Sequence, residues 1–430
     1  MRVLIVGSGG REHAMAWQCA RGAHIEQVIV TPGNPGTANE PHVRNAGVAA
    51  DDLRGIVELA QREAVDLIIV GPEQPLVAGL VDTCQTAGIP CFGPTAEGAQ
   101  LEGSKSFSKS FLQRHNIATA SYETFDDFDA AEAHILTRGA PCVVKADGLA
   151  AGKGVVVADT TETAIAAAHE MLVAERFGGA SRQIVVEDFL VGEEASLIAV
   201  TDGKTIVPLA SSQDHKARDA GDTGPNTGGM GAYSPAPVLS DDVAERALAE
   251  VLRPTLAGLQ ADGIDYIGFL YAGLMIDSSG EAHVLEFNCR LGDPETQPIM
   301  RRLKTPLDLI CCAALNGRLD EMDIEWHGAA SLGVVMAAEG YPGSARTGDA
   351  ISGLPDAERV EGVKVFHAGT NARGSTVQTA GGRVLCVTAM GRTTTDAATN
   401  AYRGVAAINW PGAFYRNDIG HRAIARESDD

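Results

Sequence analysis

The chain has 430 residues, enough for about two to four domains with substantial cores. Apolar residues at 45% and charged ones at 21% fit an ordinary globular enzyme, and the formal charge of −22 argues against nucleic acid or an acidic membrane surface as a partner. No apolar run approaches membrane-spanning length, Met1 leads directly into a strand without a signal peptide, and eight scattered cysteines without a CxxC pair predict reduced thiols in a cytoplasm.

Residues 1–101 alternate strand and helix in a doubly wound, Rossmann-like α/β manner. Strands are predicted at Val3–Val6, Gln27–Thr31, Leu67–Val70 and Ile89–Phe92, and helices at Arg11–Arg21, Asp52–Glu63 and Pro75–Ala87. Gly93-Pro94 punctuates the end of this unit. The glycine loop Gly7–His13, GSGGREH, invites a dinucleotide reading, but Glu12 takes the third glycine's place and the second strand ends without a ribose-binding acid. A nicotinamide dehydrogenase is therefore disfavoured. Gly9 and Gly10 at a helix start remain candidates for holding one phosphate.

Residues 102–325 change pattern. Helices are predicted at Lys105–Arg114, Phe125–Thr137, Glu162–Leu172 and Asp241–Ala261, with long strands at Gln183–Glu187, Ser196–Val200, Ile267–Ile276 and Ala282–Phe287. The run VVKADGLAAGKGV, Val143–Val155, reads as strand, glycine-rich loop and strand. Lys145 projects from the first strand's end, Lys153 sits at the loop tip, and Gly148, Gly152 and Gly154 bare the backbone for an anion. The spacing and the following strand exclude a Walker loop. A polyphosphate clamp and an ordinary glycine-rich hairpin both fit the loop alone. Ser211–Pro235 reads as a long unstructured loop, of the kind that is usually functional.

The run HVLEFNCRLGDPETQP, His283–Pro298, is the second chemical signal. Glu286 and Asn288 alternate onto one face of a strand, and a carboxylate with an amide oxygen suits Mg²⁺. Arg290 follows on that face, where it can meet charge on a transferred phosphoryl group. Asp293 and Glu295 lie in the turn beyond. The rival reading is an exposed polar face with a surface Glu–Arg pair. Glu187 ends a strand, with Leu190 and Glu194 close behind, as a link able to seat an adenine edge and a ribose hydroxyl. His215, between Asp214 and Lys216, suggests either a catalytic cluster or a loop that contacts substrate without acid–base duty. Residues 326–430 form a smaller α+β unit, with strands at Leu332–Ala337, Val363–Phe366 and Val384–Thr388 and a helix near Thr395–Ala407.

Together these runs resemble the ATP-grasp superfamily and, within it, the phosphoribosylamine–glycine ligases of de novo purine synthesis. The resemblance covers essentially the whole chain. It rests on GSGGREH at Gly7, GPEQPL at Gly71, LEGSKSF at Leu101, KADGLAAGKGV at Lys145 and EDFLVGEEAS at Glu187. It continues through SQDHK at Ser211, DTGPNTGGMGAYSPAP at Asp222, GFLYAGLM at Gly268, EFNCRLGDPETQP at Glu286 and GVVMAAEGYPG at Gly333. It implies a Rossmann-like N-terminal domain (1–101), a central ATP-grasp domain (102–325) with a mobile lid at about 121–187, and a small C-terminal α+β domain (326–430). With no room for later pathway enzymes before Asp430, a stand-alone bacterial form is expected, in the cytoplasm and as a monomer.

The implied reaction joins glycine to 5-phosphoribosylamine through a glycyl phosphate, giving glycinamide ribonucleotide, ADP and phosphate. Carried over by motif, Lys105 and Lys145 contact ATP phosphates under the Gly148–Gly154 loop with Lys153. Glu187 and the backbone through Leu190 hold adenine, and Glu194 the ribose. Glu286 and Asn288 ligate Mg²⁺ or Mn²⁺, and Arg290 stabilises the acyl phosphate, with Lys145 as its partner in catalysis. Gly9, Gly10, Asp214, His215, Lys216, Asn226, Gly228, Arg290 and Asp293 shape the substrate sites. Many members of the superfamily carry a further metal-binding Asp on the preceding strand, where this chain reads Tyr271-Ala272-Gly273-Leu274. Another ATP-grasp carboxylate–amine ligase of the purine pathway is the nearest alternative, and a non-catalytic nucleotide sensor a more distant one.

Overall fold

The computed structural model describes residues 1–150 and 152–429. The N-terminal unit is a five-stranded parallel sheet in the order Val43–Asn45, Gln27–Pro32, Arg2–Gly7, Leu67–Val70, Cys91–Phe92. Leu67–Val70 is buried throughout, and Arg2–Gly7 from Val3 onward, as expected where helices cover both faces of a parallel sheet. Strand Val43–Asn45 and helix Pro35–Asn39 were not anticipated, being short and polar. Asn34 starts that helix by accepting the Gly36 and Thr37 N–H groups. The helix expected over Pro75–Ala87 is two, Glu73–Val77 and Leu80–Thr86, because Gly79 turns the chain at φ +87°.

The Gly7 loop is filled from within. Glu12 folds back so that one carboxylate oxygen accepts the Gly9 N–H at 2.6 Å, while the other meets Arg11 Nε at 2.6 Å. A Cβ on Gly7 or Gly71 would lie within 2.4 Å of Glu12 atoms. These glycines make room for a buried carboxylate, which takes up the Gly9 N–H.

A separate antiparallel sheet, ordered Tyr122–Phe125, Ile184–Asp188, Cys142–Ala146, Val155–Ala158, is backed by helices Phe128–Arg138 and Thr161–Leu172. It has its own small core, including Ile135, Val144, Met171 and Val186. Phe125 belongs to a strand and not to the helix expected from Phe125. Asp127 caps that helix by accepting the Ala130 N–H, which fixes its start at Phe128. The neighbouring sheet, Ile206–Pro208, Glu193–Thr201, Gly268–Ile276, Ala282–Asn288, is also antiparallel. The helix over 241–261 is continuous but carries a π turn at Leu248–Leu252, ahead of Pro254. That proline has no N–H to donate and crowds the preceding turn, so the ladder widens there.

The C-terminal sheet runs Gln213–Asp214, Gly231–Ser234, Ala330–Ala337, Arg383–Gly391, Val363–His367, with helix Thr394–Ala407 packed on it. The expectation that Ser211–Pro235 is unstructured is therefore corrected. Its two ends are strands of this sheet, and Ala217–Asp219 pairs with Thr223–Asn226 between them. Gly231–Ser234 is buried at every position, so no polar–apolar alternation marks it as a strand. All eight cysteines are free thiols, and no helix among the described residues is long and apolar enough to cross a membrane.

Candidate active site

A cavity of about 410 Å³ opens where the Cys142–Ala146 sheet, the Gly268–Asn288 hairpin, the N-terminal unit and the 214–228 segment meet. Lys145 enters from its strand near the end, as the alternation requires. Its ammonium lies 2.9 Å from Glu187 Oε1 on the adjoining strand and donates to the Leu285 carbonyl at 3.1 Å. Glu187 Oε2 is 3.0 Å from Lys109 Nζ, so one buried carboxylate bridges two buried lysines. Burial pulls Lys109 down to about 8 against the attraction of Glu187. Lys105, one turn earlier on the same helix, donates to the Gly148 carbonyl at 3.3 Å and is also lowered by burial.

Glu286 faces the same space from the strand opposite Gly273. Burial opposes its charge, but Lys216, Lys145, Lys105 and Arg290 outweigh that cost and hold it down at about 2. Lys216 Nζ lies 3.1 Å from Glu194 Oε2 and 3.5 Å from Glu286 Oε1. Asn288, two residues on, lines the cavity beside Glu286. The preceding strand supplies Tyr271 and Met275 to the lining and Gly273 opposite Glu286, none of them a carboxylate. Tyr271 is bound through its hydroxyl to Glu295 at 2.6 Å. An ionised carboxylate and an amide oxygen on one strand face fit a hard divalent cation that shares its remaining positions with phosphate and water.

Arg290 closes the floor, with Glu102 Oε1 2.7 Å from Nη2 and Glu73 Oε2 3.3 Å from Nε. Burial and the neighbouring Glu73 push Glu102 up to about 7 despite Arg290. Asp293 pairs with Arg383 at 3.1 Å, and burial beside Glu295 raises Asp214 well above the ordinary carboxylate range. Leu190, Glu194, Asp214, Lys216, Asn226 and Gly228 all line the cavity.

Other expected residues stand apart from that lining. His215 points the opposite way from Asp214 and Lys216, buried against the C-terminal helix, where its Nε2 accepts the Gly420 N–H at 2.9 Å. A substrate-contacting role for His215 is thereby corrected. Its neighbours Asp214 and Lys216, two apart, share a face that His215 cannot share. Lys153 is exposed on the loop. Gly148 donates its N–H to the Ala180 carbonyl at 3.2 Å, and its missing side chain makes room for Ala180. Leu149, Ala150, Gly152 and Gly154 line the cavity, and Ala151 lies outside the described residues. Gly9 and Gly10 sit behind Asp293 and Gln297, with the Gly9 N–H taken by Glu12. Lys109, Glu73, Glu102, Arg11 and Arg383 were not singled out, although all line the cavity. For Lys109 a signal existed, since it is four residues from Lys105 and shares its helix face.

Three family models match in series: the phosphoribosylglycinamide synthetase N domain at residues 1–102, its ATP-grasp domain at 103–296 and its C domain at 331–422. The chain belongs to the phosphoribosylamine–glycine ligase (phosphoribosylglycinamide synthetase) family. It is 59% identical over 427 residues to the phosphoribosylamine–glycine ligase of Allochromatium vinosum, covering 99% of this chain and 100% of the relative. The Escherichia coli K12 enzyme of the same name is 56% identical, with 99% and 100% covered. The crystal structure of phosphoribosylamine–glycine ligase from Thermotoga maritima superposes with a TM-score of 0.83 at 33% identity, covering 97% of this chain and 100% of that one. The biotin carboxylase domain of Hydrogenobacter thermophilus 2-oxoglutarate carboxylase, solved with MgADP, shares the fold at a TM-score of 0.74 and 16% identity, over 96% and 91% of the two chains. In this ligase family the ATP-grasp fold implies the use of ATP and a divalent metal.

Proposed function

We propose that this chain joins glycine to 5-phosphoribosylamine with ATP, through a glycyl phosphate, to give glycinamide ribonucleotide, ADP and phosphate. The observation that carries the reading is the convergence of Lys105, Lys145, Lys216 and Arg290 on Glu286 in one cavity. These cations hold Glu286 ionised, but Glu187, Glu194, Glu73 and Glu102 also pair with them, so the charge of a triphosphate would be met by the lysines and Arg290 together with a divalent cation at Glu286 and Asn288.

Adenine is assigned to the apolar end of the cavity, among Val143, Val157, Phe189, Leu190, Met275 and Leu285, and the ribose to Glu194. Lys145 and Lys105 take the phosphates beneath the 149–154 loop. Glu187 is assigned to setting the position of Lys145, with adenine held by the residues that follow. Glu286 and Asn288 would hold Mg²⁺ or Mn²⁺, which supplies neutralisation of the phosphate oxygens. Arg290 is placed to meet the glycine carboxylate as one of its oxygens attacks the γ-phosphorus and ADP departs. The amine of phosphoribosylamine then attacks the acyl carbon, and phosphate leaves. An acyl phosphate is readily lost to water, so the 122–188 sheet is assigned the part of a lid. Asp214, Lys216, Asn226, Gly228 and Asp293 border the acceptor end. We place the enzyme in the cytoplasm as a monomer.

The direct test is mass detection of glycinamide ribonucleotide from ATP, glycine and freshly generated phosphoribosylamine. Glu286→Ala and Asn288→Ala should abolish it while the thermal transition persists. ADP release without either co-substrate, and no ligated product, would refute the assignment.

A further inference from the structure

At the other ends of the helices Gly10–Cys19 and Thr296–Arg302 from the cleft lies a second, smaller cavity of about 190 Å³, lined by Gln18, Arg21, Gly22, Leu303, Lys304 and His327 with Pro306. Arg301 and Arg302 stand just behind it in sequence, ending the helix Thr296–Arg302. Among the described residues, Arg21, Arg301, Arg302 and His327 have no carboxylate within ion-pair distance, and Lys304 reaches only Glu325, at 3.9 Å. Such a cluster is unexpected in a chain whose acids outnumber its bases by 22, from 56 acidic and 34 basic residues.

The neighbouring cations act against one another. Burial lowers His327, and Lys304, Arg21, Arg301 and Arg302 all add to that lowering. Arg301 is brought down to about 10 by burial and by Arg21. Arg21 and Arg301 lie against the indole of Trp17, at 4.5 and 5.2 Å from its ring centroid, so an aromatic ring spaces two guanidinium groups that have no counter-ion. The carbonyls at the end of helix Gly10–Cys19 carry only about half a negative charge, too little to balance the group.

We propose that this cavity is a binding site for a phosphate-bearing small anion, distinct from the catalytic cleft. The volume suits a phosphate or pyrophosphate group, and Arg21 and Lys304 in the lining, with Arg301 across the Trp17 ring, supply charge that suits it better than a monovalent anion. The two helices that border it, Gly10–Cys19 and Thr296–Arg302, pack on each other and begin beside Asp293 and Gln297 of the cleft. An anion bound here would join their far ends.

Two of the chain's three tryptophans report on the site. Trp17 stacks with its arginines, and Trp326 adjoins His327 and bridges to Leu303. The full chain, its cleft filled with a non-hydrolysable ATP analogue, should be titrated with inorganic phosphate, pyrophosphate and ribose 5-phosphate at constant ionic strength. A saturable change in tryptophan emission is expected, retained in Trp410→Phe and weakened about tenfold or more in Arg21→Glu/Lys304→Glu. The same double variant should keep its ligase activity. The order of affinities among the three probes separates a free phosphate site from one that also takes a phosphomonoester. If chloride gives the same change, if none saturates, or if the double variant and the milder Arg21→Gln/Lys304→Gln both titrate as the parent does, the site is overturned.

Discussion

Glu102 Oε1 lies 2.7 Å from Arg290 Nη2, and its other oxygen accepts the Cys289 N–H at 2.7 Å. With Glu73 on the other side of the guanidinium, one arginine is flanked by two acids. The arrangement fixes Arg290 toward the cavity, while burial and the second carboxylate hold Glu102 up at about 7. Because the folded-state value is raised from the ordinary 4.5, this group favours folding most below about pH 4.5 and loses that contribution as the pH rises toward 7. Glu102→Gln keeps one acceptor oxygen for Arg290 or Cys289, sets its amide NH2 against the other donor, and removes the cost of ionisation. Its stability relative to the parent should therefore rise between pH 4.5 and neutrality, by up to about 3 kcal/mol. Denaturant midpoints at both pH values check this. A difference that does not grow with pH would contradict it.

Lys109 makes a second prediction through Glu187. Removing it as Lys109→Met leaves the buried carboxylate to Lys145 alone, so that ammonium is drawn away from phosphate. The KM for ATP should rise about tenfold, near 1.4 kcal/mol. Lys109 discharges at about 8, so the gap between parent and variant should narrow above that pH. Glu187→Gln leaves two buried cations without a counter-charge and should lower Tm more than Lys109→Met does. An ATP KM unchanged in Lys109→Met would remove this coupling.

What was legible in the sequence were groups carried by one local pattern. Lys145 and Glu286 each sit on a strand whose alternation sends them to one face, and both line the cavity. Arg290 was legible for the same reason, but its partners were not. Glu73 and Glu102 approach it from helices about 190 to 220 residues earlier, and no local period encodes that approach. The Gly7 loop misled in a different way. Its glycines fit a phosphate on paper, whereas in the fold they admit the carboxylate of Glu12, a tertiary contact within a single turn. The 211–235 segment failed because its strands pair with residues beyond 330, so pairing and not composition defines them.

His215 gives a third prediction. Accepting the Gly420 N–H at Nε2 requires a neutral ring with its proton on Nδ1, which faces Asp222 at 3.6 Å. Burial lowers its pKa, as do Arg416 and His421, against the pull of Asp222, so the acceptor persists through neutral pH. His215→Phe keeps the bulk beside Tyr233 and His421 but leaves the Gly420 donor unpaired, at about 1–3 kcal/mol. Turnover should fall with it, because Asp214 and Lys216 lose their anchor, and His215→Gln should recover part of both losses. Full activity in His215→Phe would show the anchor to be dispensable.

The lid assignment predicts where ATP should act. Gly152 and Gly154 line the cavity on a loop between two strands of a sheet with its own core. ATP should slow hydrogen exchange across residues 145–155 more than across the strand Arg383–Gly391, which is already buried. Uniform protection, or none in the loop, would mean that the loop does not cover the phosphates.

The last prediction concerns the intermediate. A route through glycyl phosphate passes one glycine carboxylate oxygen to the departing phosphate, whereas direct condensation would leave it in the amide or in water. In the proposed assignment Lys145 and Arg290, which both act on Glu286, would meet the γ-phosphoryl charge as it spreads over its equatorial oxygens. Neither Cys289 nor any other thiol competes as a covalent carrier at this point: Cys289 is buried, and burial beside Glu102 pushes it up to about 12. Glycine labelled with ¹⁸O in its carboxylate should therefore yield labelled inorganic phosphate in step with product. Arg290→Ala should slow that transfer more than it weakens ATP binding, since the charge it meets is greatest in the transition state. Unlabelled phosphate accompanying continued amide formation would exclude the acyl phosphate route.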